Sequence, residues 1–141
     1  MKLSKASGYA AMAVLAIARR QSENPGGSVQ IREIAAAHGL PQEYIAKLLT
    51  ILVKARILKS GRGREGGFVL RRRASEICIL DIVEAVDGPL EADDLVGHAD
   101  GYLGASVGTL FQTALGHLRA SLKTKTVETL LHDMSNTETP G

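Results

Sequence analysis

Residues 41–73, PQEYIAKLLTILVKARILKSGRGREGGFVLRRR, decide the fold, because they join an amphipathic helix to a glycine-rich hairpin. Ile45, Leu48, Leu49 and Leu52 recur at i, i+3, i+4 and i+7, the spacing of one helical face. Pro41 suits the first turn of that helix, where a missing backbone N–H costs nothing. The opposite face carries Gln42, Glu43, Ala46, Lys47, Thr50 and Lys54. Two short strands are expected next, at residues 57–60 and 68–70. Between them the tip Gly61-Arg62-Gly63-Arg64-Glu65-Gly66-Gly67 has the glycines for a tight exposed turn. The reading is a DNA-recognition helix followed by a wing.

Charge supports that reading. Between residues 47 and 73 nine basic side chains stand against the single acid Glu65, a net +8, whereas the whole chain is only +2. The remainder is therefore −6, and the positive field sits where a polyanion would dock. From residue 74 to residue 118 there is no lysine or arginine and there are eight acids, a segment DNA would repel. The tip also spells G-x-G-x-x-G, but a dinucleotide fingerprint needs a helix after its glycines and here a strand follows. A kinase-type glycine loop would suit a hairpin, yet the chain is far too short for a kinase.

At 141 residues, with 45% hydrophobic and 23% charged residues, one ordinary domain or a small domain plus a long helix is expected. No apolar run reaches eighteen residues, so no membrane span is expected. Lys2 and Lys5 precede an apolar run ending Ala16-Ile17-Ala18, which mimics a secretory cleavage site. The run is rich in alanine rather than leucine and Arg19 and Arg20 follow at once, so a buried first helix explains it better. The lone Cys78 forbids an internal disulfide and any site needing two cysteine ligands from one chain. A cytoplasmic location follows as the default.

Upstream of the deciding stretch, residues 4–20 read as a helix that is apolar nearly all round and so central. A loop at Asn24-Pro25-Gly26-Gly27 leads to a short second helix, residues 31–38, ended by Gly39 and turning inward Ile31, Ile34 and Ala35. Two helices joined through Gly39-Leu40-Pro41 make a helix-turn-helix. Downstream, Ile77, Leu80, Ile82, Val83 and Val86 suggest a fourth helix on the wing side, stopped by Asp87-Gly88-Pro89. Residues 91–106 read as a loop with one helical turn. Val107, Leu110, Phe111, Ala114, Leu115, Leu118 and Leu122 then trace a stripe along a long helix, residues 103–123, too long for a small domain to cover and so a dimer seam. A final helical turn or two is expected at 127–134, and a disordered tail at 135–141. The fold class is mainly α with a small β-hairpin, in three parts: a winged helix-turn-helix at 1–90, an effector-type loop with a dimerisation helix at 91–134, and the tail.

This order of parts resembles the winged-helix transcription factors that include IscR, NsrR, RirA and CymR. The matching stretches are Met1-Lys2-Leu3-Ser4, Tyr9-Ala10, Ile34-Ala35, Gly39-Leu40-Pro41 with Tyr44-Ile45, the wing from Gly61 to Phe68, and Leu80-Asp81-Ile82-Val83-Glu84-Ala85-Val86-Asp87-Gly88-Pro89-Leu90. The resemblance implies a homodimer on a palindromic double-stranded operator, with a recognition helix in the major groove and a wing arginine in the minor groove. Carried over by position, Pro41, Glu43, Tyr44, Ala46 and Lys47 face the bases beside Gln42, and Arg62 takes the minor groove. Ala46 has no group to hydrogen-bond a base, while Lys47 and Arg64 suit phosphates.

Cluster-binding relatives carry three cysteines in the segment corresponding to residues 91–106, and this chain has none there, so no iron–sulfur cofactor is expected. Asp93, Asp94, His98 and Asp100 occupy that segment and could hold a metal through oxygen and imidazole ligands, but they read as a solvated loop. Cys78 reads as a small buried apolar residue, with a single-thiol redox sensor as the alternative. The function expected is transcription regulation, as a repressor, and not an enzyme: no Ser-His-Asp or Cys-His arrangement is present, and His38, His117 and His132 are scattered. A small-molecule effector is compatible with this. The competing reading is a regulator that docks on a partner enzyme, and salt dependence separates the two, since a charge-driven DNA contact weakens steeply with salt.

Overall fold

A computed structural model describes residues 3–61, 66–91 and 101–138 of the chain. Its first helix, α1, spans Lys5–Glu23, three residues beyond the expected end. Ser4 caps it, accepting a hydrogen bond from the Ser7 N–H at 3.0 Å. Asp87, far along the chain, accepts from both the Ser4 N–H and its hydroxyl. The helix is central as anticipated, packing on the third, fourth and sixth helices and on the second strand. Only one face is covered, however: Ala10, Ala13, Val14 and Ile17 are fully buried, whereas Met12 remains 42% exposed.

The second helix, α2, is Ile31–His38, and Gly39 ends it at φ 63°, a left-handed conformation glycine adopts without strain. The N–H of Leu40 then reaches back to the Ala35 carbonyl at 3.0 Å. Ile34 and Ala35 are buried and Ile31 only half-buried. The third helix, α3, is Gln42–Lys54, with Pro41 as its N-cap rather than its first helical residue. Ile45, Leu48, Leu49 and Leu52 are all buried, as their spacing predicts.

The end of α3 departs from ordinary chemistry. Arg56 sits at φ 62°, the left-handed region, and is the only non-glycine residue with positive φ among the described residues. Its N–H bonds the Val53 carbonyl and that of Ile57 bonds the Leu52 carbonyl, each at 3.0 Å. These two bonds are the Schellman pattern, closed by the buried pair Leu52 and Ile57.

Strands β1, Leu58–Ser60, and β2, Phe68–Leu70, form the antiparallel hairpin, with Leu58 opposite Leu70 and Ser60 opposite Phe68. Val29 adds a further rung, exchanging two hydrogen bonds with Phe68 at 2.8 and 3.1 Å. After a 3-10 turn at Ala74–Glu76, the fourth helix, α4, spans Ile79–Asp87. Ile77 lies before it, and the helix packs on α1 and α3 rather than chiefly beside the hairpin, because Ile82 belongs to the main core.

The fifth helix, α5, is Tyr102–Thr124, close to the expected span, and the sixth, α6, is Val127–Glu138. The expectation of disorder from residue 135 is corrected as far as residue 138: the Ser135 and Thr137 hydroxyls bond the carbonyls of Leu131 and Asp133 and extend the helix, while residues 139–141 lie outside the described residues. Val127 is fully buried in the core made by α1, α3 and Ile77. A backbone bridge between Cys78 and Thr126 returns this end of the chain to the winged-helix unit. A second, smaller cluster joins Leu80, Val83 and Leu90 to Leu115 of α5.

Candidate nucleic-acid interface

The helix pair presents the N-terminal part of α3 outward because its apolar stripe is committed to the core. Pro41, Gln42, Glu43, Lys47 and Thr50 are exposed and Ala46 is half-buried. No side chain caps α3; the Pro41 carbonyl instead accepts from the Tyr44 and Ile45 N–H groups. Tyr44 is half-buried, its ring set edge-on against Tyr9 of α1 with centroids 6.1 Å apart and planes at 87°. That contact anchors the start of α3 on α1, so Tyr44 fixes the helix as well as bordering the exposed face.

The wing grows from a tightly tied base. The Gly61 N–H bonds the Gly67 carbonyl at 2.7 Å, and the Ser28 hydroxyl bonds the Gly66 carbonyl at 2.8 Å. Gln21 of α1 accepts from the Leu70 N–H at 2.8 Å, which links the hairpin to the central helix. Gly67 is at φ 97°, and an added Cβ would come within 3.0 Å of the Val29 carbonyl oxygen. Arg62 and Arg64, the two arginines of the tip, lie outside the described residues.

Six basic side chains of the deciding stretch, Lys47, Lys54, Arg56, Lys59, Arg71 and Arg73, are exposed and make no ion pair among the described residues. Their charge is therefore not neutralised internally. Arg72 differs: it is half-buried and lies 3.6 Å from Asp81, so it belongs to the fold more than to the surface field. Sequence reasoning missed Arg32, at the start of α2. It borders a recess of about 260 Å³ shared with Gln42, Gly67 and Phe68, where the start of α3 meets the hairpin base. No pattern in residues 41–73 pointed to it, because tertiary packing brings it there.

The metal-type residues Asp93, Asp94, His98 and Asp100 lie outside the described residues, and no group of three or more potential metal ligands occurs among the described ones. Cys78 is half-buried at the N-cap of α4, where its N–H donates to Asp81. Burial pushes its thiol pKa above the usual value, and the neighbouring Asp81 carboxylate adds to the rise. Such a thiol stays neutral near pH 7, the opposite of the activated thiolate a redox sensor needs. No helix among the described residues is long and apolar enough to cross a membrane.

Comparison with known proteins agrees with this arrangement. The family model Rrf2, described as an iron-dependent transcriptional regulator, matches residues 3–137. Rv1287 of Mycobacterium tuberculosis, an HTH-type regulator by name, is 35% identical over 141 residues, covering 99% of this chain and 84% of that protein. IscR of Vibrio atlanticus is 33% identical over 100 residues, covering 71% of this chain and 56% of that one. Among solved structures, CymR of Bacillus subtilis, named the global cysteine regulator, superposes with a TM-score of 0.81 at 24% identity over 94% of this chain and 97% of that one. IscR of T. potens superposes at 0.77 with 26% identity, over 100% and 93% of the two chains. With one cysteine in its whole sequence, the chain lacks the cysteine ligand set of an iron–sulfur cluster. The helix-turn-helix, the hairpin and these relatives together make the chain a DNA-binding winged-helix regulator rather than an enzyme, and it belongs to the Rrf2 family of transcriptional regulators.

Proposed function

We propose that the chain acts in the cytoplasm as a homodimeric repressor that reads a palindromic operator, with α3 in the major groove and the wing in the minor groove. The observation that carries this reading is the set of exposed, unpaired cations distributed around the outward face of α3 and the wing base. Gln42 and Glu43, both exposed, are assigned to base edges, Lys47 to phosphate, and Pro41 to setting the entry angle of the helix. Arg62, directly after the anchored Gly61, is assigned to the minor groove and Arg64 to the flanking phosphates. Residues 1–90 then form the DNA-reading part and residues 91–134 the dimerising part. This is a division of task rather than of packing, since Val127 completes the core of the first part.

The dimer reading rests on the first half of α5. Leu103 is 80% exposed, Leu110 63% and Phe111 43%, on a helix whose second half is covered by Leu80, Val83 and Leu90. Antiparallel pairing with a second copy would cover this stripe and place two recognition helices on one face.

The test is capture of sheared genomic DNA on the purified protein, followed by affinity measurement on the enriched site over a salt series. Retention of palindromic sites upstream of genes, with log affinity falling by about 0.9 per phosphate contact for each unit of log salt, supports the reading. Arg62→Ala is expected to weaken operator binding by roughly tenfold or more, and unchanged affinity would remove the wing assignment. Transcription from the captured promoter in a purified system should fall on addition of the protein; a rise would make it an activator. Salt-independent retention of a protein instead of DNA would favour docking on a partner enzyme.

A further inference from the structure

Behind the DNA-reading surface, a cleft of about 530 Å³ opens between the end of α3, the face of α4 and the second half of α5. Its apolar side is formed by Ile57, Leu80 and Ala85. Its polar side carries three cations, Arg72, Arg119 and Lys123, against two carboxylates, Asp81 and Glu84. Both carboxylates are already engaged: Arg119 lies 2.8 Å from Glu84 and also donates to the Leu90 carbonyl, and Arg72 lies 3.6 Å from Asp81. Lys123 has no ion pair among the described residues. The Nε of Arg72 is buried and has no hydrogen-bond partner, one of two such side-chain atoms among the described residues. That atom is closed to solvent, so the charge that an entering anion meets is that of Lys123 on the polar side of the cleft.

We infer that this cleft is a binding site for a small organic carboxylate with an apolar body, and that its occupancy regulates DNA binding. The surplus positive charge selects the carboxylate, the Ile57–Leu80 side selects the apolar body, and the volume is that of a small-molecule site. The position supplies the coupling. Ile57 follows the last turn of the recognition helix, Arg72 follows β2 of the wing, and Arg119 and Lys123 belong to the helix proposed to join two protomers. A ligand held by all three biases how the DNA-reading unit is set on α5, and hence the spacing of the two recognition helices. This regulatory part rests on the function proposed above; the binding site itself does not.

The experiment measures binding of phenylacetate and 4-methylpentanoate, with their neutral amides, to the full chain by calorimetry and ligand-observed NMR in the absence of DNA. Each acid is expected to bind on the order of tenfold more tightly than its amide. Lys123→Gln should abolish the difference and Lys123→Arg should preserve it; circular dichroism confirms that these surface variants fold. Equal binding of acid and amide, no saturable binding of either acid at millimolar concentration, or a difference that survives Lys123→Gln would overturn the site. Operator affinity is then measured with and without saturating acid. A shift of several-fold in either direction supports the regulatory claim, and bound acid with unchanged affinity overturns it. Because ligand binding is read without DNA, a chain that failed to bind DNA would sink the proposed function while leaving this measurement intact.

Discussion

Replacing Leu110 with alanine tests the dimer seam most directly, because its cost can be worked from exposure. Complete burial of a leucine-sized side chain is worth about 2 kcal/mol. Leu110 is 63% exposed in the isolated chain, so a partner that covers it recovers about 1.3 kcal/mol on each side of a twofold interface. Truncation to alanine removes most of that twice, about 2 kcal/mol, which raises the dimer dissociation constant by roughly thirtyfold. Leu103, Val107 and Phe111 weighted in the same way bring the seam to roughly 9 kcal/mol for the pair, within reach of the association cost. Sedimentation velocity over a concentration series reads the constant, and thermal melting at a concentration where the protein is monomeric checks the fold. That melting should hardly move, since little of Leu110 is buried within the protomer. A dissociation constant unchanged by Leu110→Ala, or a protomer melting as far below the wild type as a core variant, would refute the assignment of this face to a partner copy.

Arg56→Gly removes a side chain from a left-handed position and should raise stability to urea by about 0.5–1 kcal/mol; a loss would mean that the guanidinium itself holds the turn. Gly67→Ala should cost about 1–3 kcal/mol, because the new Cβ meets the Val29 carbonyl and the backbone is already at φ 97°, and operator affinity should fall with the displaced wing. For Cys78 the folded thiol pKa lies above the unfolded one, so its contribution is complete below the ordinary thiol value of 9.0 and is lost as pH rises through the folded value. Cys78→Ala should therefore flatten the decline in melting temperature at alkaline pH, and thiol labelling at pH 7 should be slow; rapid labelling would restore the sensor reading. Glu33 runs the other way: the Gln30 N–H holds its carboxyl below the usual range, so its contribution is present at neutral pH and fades as pH falls below about 4.5, a loss that Glu33→Gln should lack in acid titration of helicity.

Helix α3 and both strands of the hairpin were legible because their signals are local. Gly39 must be left-handed to end α2, Pro41 can only begin α3, and the period of Ile45 to Leu52 allows one inward face. What the chain hid was non-local. Val29 looked like the start of an ordinary segment, yet it supplies a backbone rung to Phe68 across nearly forty residues. Nothing about Tyr44 in isolation says that its ring meets Tyr9, and the basic run 71–73 gave no sign that Arg72 turns toward Asp81 while its neighbours stay exposed. The Schellman turn at Arg56 went unread for a plain reason: the position that normally announces it with glycine carries arginine. The extra turns of α6 were missed because their polar sequence is weakly helical by propensity and is held by docking of Val127 and Leu131 at its base.

The late return of Val127 also bears on biosynthesis. Helix α3, the hairpin and α4 have all been translated some forty residues before Val127, which at roughly 5–20 residues per second leaves an interval of roughly 2–8 s. Throughout that interval the apolar hollow between α1 and Ile77 is open to proteases and chaperones. A message cut short before α6 is thus expected to yield a chain with an open core, a degradation substrate that nevertheless carries both the basic surface and α5.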